Sequence, residues 1–254
     1  MSARRIDLNC DMGESFGAWS LGDDAGVMPH ISSANIACGF HAGDPAVMRR
    51  TVALAAAHGV AIGAHVSLPD LQGFGRRELR LAPDEAAAMT LYQIGALQAF
   101  ARAAGVRVGH VKPHGALYNM AARDAALAAA IAAAVRAADP QLILVGLAGS
   151  ALPRAGIEAG LTVAQEAFCD RRYEADGSLT PRQLDGAVIT DIDAAVAQAV
   201  RLATVGEVVA RDGRTLALAT DTLCVHGDRP DAAAFAGRLR EALRDAGIAV
   251  SALR

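Results

Sequence analysis

Short β-branched runs alternate with long alanine-rich stretches from one end of this chain to the other. The runs Ile6–Cys10, Ala34–Cys38, Val60–His65, Val106–Lys112, Leu142–Gly146, Leu161–Glu166 and Thr222–His226 have the length and composition of strands. Helical patterns lie between them, at Pro45–His58, Pro83–Ala104, Arg123–Ala138, Gly149–Ala159, Ile192–Thr204 and Asp231–Ala246. Pro45, Pro83 and Pro230 sit at or just before helix starts, where a missing N–H costs nothing, and Asp44 is placed to cap the first of these helices. Gly59, Gly105, Gly160 and Gly247 read as helix stops. Strands that alternate with helices join as parallel βαβ units, because a parallel neighbour needs a crossover. Seven such strands in 254 residues predict a closed or nearly closed barrel, with an open doubly wound sheet as the competitor. No linker, repeat or low-complexity segment divides the chain, so one domain over residues 1–254 is expected. Arg211–Arg214 reads as a tight turn between Glu207–Ala210 and Thr215–Ala219, an appendage to the main sheet. The polar stretch Asp170–Gln183 is long enough to be a lid.

Composition narrows the function. Hydrophobic residues make up 53% and charged residues 20%, which excludes a disordered chain. A net charge of −3 leaves no basic footprint for nucleic acid and no attraction to an anionic membrane. Mean hydropathy is positive, at +0.26, but the apolar excess is mostly alanine in helical runs. With no apolar leader at the N-terminus, a soluble cytoplasmic protein is expected. Cys10, Cys38, Cys169 and Cys224 form no C-x-x-C pair, so a zinc ribbon and a thioredoxin motif are excluded.

The chemistry-bearing residues gather where strands end. Asp11 and Glu14 follow the first strand, His41 and Asp44 the second. His65 ends the third strand, and the loop beyond it carries Arg76 and Arg77. The fourth gives His110, Lys112 and His114, the sixth Asp170, Arg171 and Arg172, and the seventh His226 and Asp228. Five of the seven histidines lie at these ends, which in a parallel barrel open on one face. His58 is read instead as a helix-end cap. Asp11, His41 and His65 could bind a divalent metal (magnesium or zinc), or form a hydrogen-bonded polar core at the barrel mouth. Lys112 is the only lysine among 24 basic residues. It stands two positions from His114 on one face of an extended segment, where an ammonium and an imidazole can stabilise an oxyanion and move a proton. The planar forks of Arg76, Arg77 and Arg171 suit carboxylate or phosphate. No P-loop, G-x-G-x-x-G after a strand or G-x-S-x-G elbow occurs.

The segments Asp7–Glu14, Ser33–Asp44, Val111–Asn119 and Cys224–Asp228 resemble the LamB/YcsF family. The resemblance runs over essentially the whole chain, with Val66 standing where the family pattern has proline. It implies a seven-stranded (β/α) barrel of the glycoside hydrolase/deacetylase type. It also implies ATP-dependent hydrolysis of 5-oxo-L-proline to L-glutamate, with ATP as co-substrate and subunits B and C of a 5-oxoprolinase as partners. Opening an unstrained lactam is uphill, and phosphorylation of the amide oxygen would drive it. On that reading Asp11, Lys112 and His114 are the catalytic residues. Glu14, Asp44, Arg76, Arg77, Arg171, His226 and Asp228 would bind substrate or phosphate. Two other classes stay open at this point: a metal-dependent amidase or deacetylase that needs no ATP, and a non-catalytic binding subunit.

Overall fold

The computed structural model describes residues 4–227 and 231–254. Its strands are β1 (Arg4–Met12), β2 (Ser33–Ala37), β3 (Ala61–Val66), β4 (Val108–Pro113), β5 (Ile143–Leu147), β6 (Val163–Phe168), β7 (Glu207–Val209), β8 (Thr215–Ala217), β9 (Thr222–Val225) and β10 (Ile248–Val250). Its helices are α1 (Asp24–Val27), α2 (Pro45–His58), α3 (Pro83–Ala103), α4 (Gly115–Arg123), α5 (Ala125–Ala138), α6 (Ala151–Glu158), α7 (Ile192–Val205) and α8 (Ala232–Asp245).

Strands β1 to β6 follow one another in parallel, β9 pairs with β6, and β9 also pairs with β1. That last pairing closes the sheet into a seven-stranded parallel barrel and decides against the open sheet. Strand β1 is long enough to hold three neighbours. Asn9–Met12 run beside β2, Asp7–Cys10 beside β9, and Arg4–Ile6 beside β10. The β7–β8 hairpin forms a separate antiparallel pair, as its turn residues predict. No helix among the described residues is long and apolar enough to cross a membrane.

The sequence of β1 shows how the barrel is built. Ile6, Leu8, Cys10 and Met12 alternate with Asp7, Asn9 and Asp11, and all but Asp11 are fully buried. The apolar set joins the main hydrophobic core with residues of the surrounding helices, while the polar set bonds across the barrel. The interior is therefore polar, unlike the branched aliphatic layers common in such barrels. Gly63 on β3 makes room for it: a Cβ there would lie 2.0 Å from Nε2 of His110, whose ring crosses the interior. Alanine-rich α5 packs closely on α3 and buries Leu127, Ala128, Ile131, Ala132, Ala134 and Val135.

Three elements escape the sequence pattern, the one-turn α1 among them. Helix α4 begins directly after His114, and its buried face is Ala116, Leu117, Tyr118 and Ala121. Arg123 therefore ends α4 rather than starting the next helix. Asp124 separates the two and caps α5 by accepting from the backbone N–H groups of Ala126 and Leu127. Strand β10 is only three residues long, too short for its alternation to be legible.

Candidate active site

Lys112 sits at the centre of the barrel mouth, 2% exposed. Its Nζ lies 2.9 Å from Asp11 Oδ1 and 2.8 Å from Glu166 Oε1, and donates also toward Asn9 Oδ1 and Cys224 Sγ, each at 3.2 Å. Burial opposes the charge on Lys112, but the carboxylates of Asp11 and Glu166 outweigh it and raise its pKa well above the ordinary value. Burial likewise opposes ionisation of Asp11, yet the neighbouring His65 ring and Lys112 ammonium hold its carboxyl well below the usual range. Below this pair, Asn9 and Asn35 form a buried amide ladder, and His110 Nε2 bonds Asn35 Oδ1 at 2.8 Å. Burial, helped by the Lys112 charge, pushes His110 down to about 3, so that ring is neutral.

Beside Asp11 the barrel end gathers three more rings. His41 and His114 stack with centroids 3.8 Å apart, and His65 meets both edge-on. The protons of His65 and His114 are fixed by main-chain carbonyls, which can only accept. His65 Nδ1–H donates to Lys112 O at 2.9 Å, and His114 Nε2–H donates to Phe74 O at 2.8 Å. Phe74 is the one non-glycine residue among those described with a left-handed backbone, at φ 54°, and its carbonyl holds the His114 tautomer. The other nitrogens, His65 Nε2 and His114 Nδ1, face each other at 2.9 Å. Asp11 Oδ2 lies 3.2 Å from His65 Nε2, and Glu14 Oε1 lies 3.6 Å from His114 Nδ1 and 3.3 Å from His41 Nε2. Burial pushes His41 and His114 well below their ordinary value, so both favour the neutral, lone-pair-bearing form. Acceptors thus converge on one buried point, and a positive charge there completes them.

Glu14, His41, His65 and His114 each offer a ligand atom within 4.8 Å of the others. This set overlaps the sequence expectation of Asp11, His41 and His65 but replaces Asp11 with Glu14 and His114. Asp11 is held through Oδ1 by Lys112 and Asn35, and its Oδ2 meets the cluster at His65 Nε2, 3.2 Å away.

A cavity of about 1060 Å³ opens over this cluster. Asp11, Glu14, Lys112 and His114 form part of its wall, with Tyr118, Phe168, Arg76, Arg171 and His226. Arg171 is almost fully buried, donates to Thr180 O, and leaves its Nε–H without a partner. His226 Nδ1 lies 2.8 Å from Asp170 Oδ1, and its Nε2 receives Arg182 at 2.6 Å.

Two expected ligand-binding residues are placed elsewhere. Arg77 is clamped to Asp70 with its side chain 62% exposed, because the turn at Gly73 brings that carboxylate under it. Asp44 caps α2 through the N–H groups of Ala46 and Val47 and also accepts from Gly17. Asp228 lies outside the described residues. Glu166, Asn9, Asn35 and Arg182 belong to the constellation although their motifs did not single them out. Glu166 had a signal, being a carboxylate inside a run otherwise fit for a buried strand.

The family profile described as "LamB/YcsF family" matches residues 6–254. The chain is 63% identical over 251 residues to the 5-oxoprolinase A subunit of Methylococcus capsulatus, covering 99% of this chain and 96% of that one. It is 59% identical over 247 residues to the corresponding 5-oxoprolinase A subunit of Bordetella pertussis, covering 97% and 98%. Among solved structures, the lactam utilization protein of Thermus thermophilus superposes with a TM-score of 0.93 at 51% identity, covering 98% of this chain and 100% of that one.

Proposed function

The chain belongs to the LamB/YcsF family, and from that premise we propose that it is the A component of an ATP-dependent 5-oxoprolinase. It opens the lactam of 5-oxo-L-proline to L-glutamate, in company with subunits B and C. The names carried by its relatives support the substrate and the assembly. The observation that carries the chemistry is the convergence of acceptors at the barrel mouth, which suits hydrolysis of an amide.

That convergence fits a divalent metal. The fixed lone pairs of His65 and His114, the Glu14 carboxylate and the His41 ring offer nitrogen and oxygen donors. Donor separations of 2.9, 3.3 and 3.6 Å approach the edges of a coordination shell whose bonds are about 2.0–2.1 Å long. When bound, such an ion polarises a carbonyl and lowers the pKa of water. The chain's own residues then divide the remaining work. Lys112 spends its N–H groups on Asp11, Glu166 and Asn9, so it keeps Asp11 ionised and aimed. Asp11 presents Oδ2 to the cluster, where it receives a proton or orients water. His114, with its Nε2–H locked on Phe74 O, exchanges a proton only at Nδ1. Arg76 and Arg171 supply cationic walls for the charge of a phosphorylated lactam. Glutamate formation is coupled to ATP in the assembled complex.

The test combines turnover with metal content. The assembled complex forms glutamate from 5-oxo-L-proline only with ATP, and the isolated chain does so poorly. The purified chain retains close to one divalent ion, Glu14→Gln and His114→Ala lose it, and their turnover in the complex falls by at least about 10²-fold. Turnover without ATP establishes the simple amidase instead. Full turnover after chelation removes the metal from the reading.

A further inference from the structure

We propose that Arg182, held by the Asp170–His226 pair, is the residue that recognises the carboxylate of the substrate. This rests on 5-oxo-L-proline, a ring carrying one carboxylate beside its amide nitrogen, being the substrate. With the amide carbonyl at the acceptor cluster, the carboxylate lies about one ring away and needs a cation there.

Most cations near the cavity are already engaged. Lys112 is saturated by carboxylates, Arg123 pairs with Glu78, Arg211 with Glu174, and Arg154 donates to the Gly149 carbonyl. Arg182, like Arg154, has an uncharged acceptor, here His226 Nε2 at 2.6 Å, but that acceptor is a side chain anchored in turn on a buried carboxylate. The His226 Nδ1–H donates to Asp170, at 2.8 and 2.9 Å from its two oxygens, which fixes the tautomer so that Nε2 bears the lone pair. The guanidinium is thus aimed without being neutralised by direct contact. Asp170, 2% exposed, is the carboxylate that this arrangement contains, and Arg171 and Arg182 lie close enough to repel one another. Within this group two guanidiniums outnumber the one carboxylate, beside the partnerless Nε–H of buried Arg171, which leaves room for one anionic partner.

The His226 ring lies 5.8 Å from the Phe168 ring, and the Phe168 ring lies 5.6 Å from Lys112 Nζ, so one aromatic residue stands between the Arg182 arm and Lys112 on the cavity wall. Arg182 is exposed on the polar segment after β6, which is tied down by the bridges Arg171–Val188 and Tyr173–Leu179. His226 and Asp170 are positioning residues here, and Arg182 touches the substrate.

Binding to the assembled enzyme without ATP tests this, measured calorimetrically for 5-oxo-L-proline and for 2-pyrrolidinone, the same lactam without the carboxylate. Wild type prefers the acid. Arg182→Ala weakens the acid by about 10- to 100-fold, the worth of a charge-assisted bond, and leaves 2-pyrrolidinone unchanged. Arg182→Lys retains part of the preference. His226→Phe keeps the aromatic face, loses the acceptor, and lowers the ratio of the two affinities without abolishing it. An unchanged ratio in Arg182→Ala, or equal weakening of both ligands, overturns the assignment while the proposed substrate stands. Failure of wild type to bind or prefer the acid removes the substrate reading itself, and this assignment with it.

Discussion

Replacing Lys112 by methionine keeps much of the side-chain volume and deletes the ammonium. Asp11 and Glu166 are then left around an apolar tip, with Asp11 14% and Glu166 0% exposed at their side chains. Breaking a buried pair by removing one partner typically costs about 3–5 kcal/mol, and two carboxylates share this cation. Lys112→Met is therefore expected to lose about that much stability at pH 8. The loss must also depend on pH. In wild type the depressed Asp11 stays ionised well below pH 4, so its stabilisation is present above the unfolded value of about 3.9 and disappears only as pH falls through the lower folded value. In the variant the uncompensated carboxylates hold a proton in the folded state and release it on unfolding. The variant's stability then falls as pH rises above about 4, and the gap to wild type narrows toward acid. Urea unfolding of both proteins at half-unit steps from pH 5 to 8 measures this. A gap below about 1 kcal/mol, or one of equal size at pH 5 and pH 8, refutes the idea that a buried ammonium organises the mouth.

Two further substitutions separate structure from chemistry. His110 is held neutral at about 3, so below pH 6.5 the unfolded chain takes up a proton that the folded chain refuses. Stability should drop by about 1.4 kcal/mol per pH unit from this group alone, and the slope of unfolding free energy between pH 6 and pH 4 should be smaller in His110→Gln by roughly one proton; an unchanged slope counts against a neutral buried His110. Asp44→Ala removes the α2 cap and the bond to Gly17, which should cost about 1 kcal/mol in urea unfolding and leave turnover of the assembled enzyme close to wild type; a large loss of turnover with full stability would restore Asp44 to ligand binding.

The barrel was legible because its signal is long-range and redundant. Each strand run lies between helical stretches, and no single boundary has to be right. The mouth was legible for a related reason: His41, His65, Lys112, His114 and His226 all lie at or just beyond the C-terminal ends of β2, β3, β4 and β9. Partnership within the mouth was not legible. Asp11 and Glu14 are three residues apart, yet the first turns to Lys112 and the second to His41. Arg76 and Arg77 are adjacent, yet only Arg76 lines the cavity, while Arg77 closes a turn on Asp70. Such choices depend on backbone direction in loops, which residue type does not encode. Helix α4 was obscured by the glycine that begins it, and Arg182 by its position on a polar loop with no periodicity.

The hydrogen bonds inside the barrel show why the polar interior belongs to the site. At its floor, Asp7 accepts from Ser32, Ser33 and Thr222. Above it, Asn9 donates to Thr222 and Glu166 and accepts from Asn35 and Lys112, using both ends of its amide. Asn35 in turn donates to Asn9 and Asp11 and accepts from His110. Each group here fixes the orientation of the next, and a buried network of this kind is rigid only when its members are satisfied. At the mouth the pattern reverses. His41 Nδ1 is buried without a partner, beside the facing acceptors of His65, His114, Asp11 and Glu14. Leaving a buried polar atom unpaired costs about 1–3 kcal/mol, so a fold that pairs its floor and leaves its mouth open has placed that cost where a ligand can relieve it. The ladder below then prevents Asp11 and Lys112 from turning to satisfy the mouth themselves, which would close the site to its substrate.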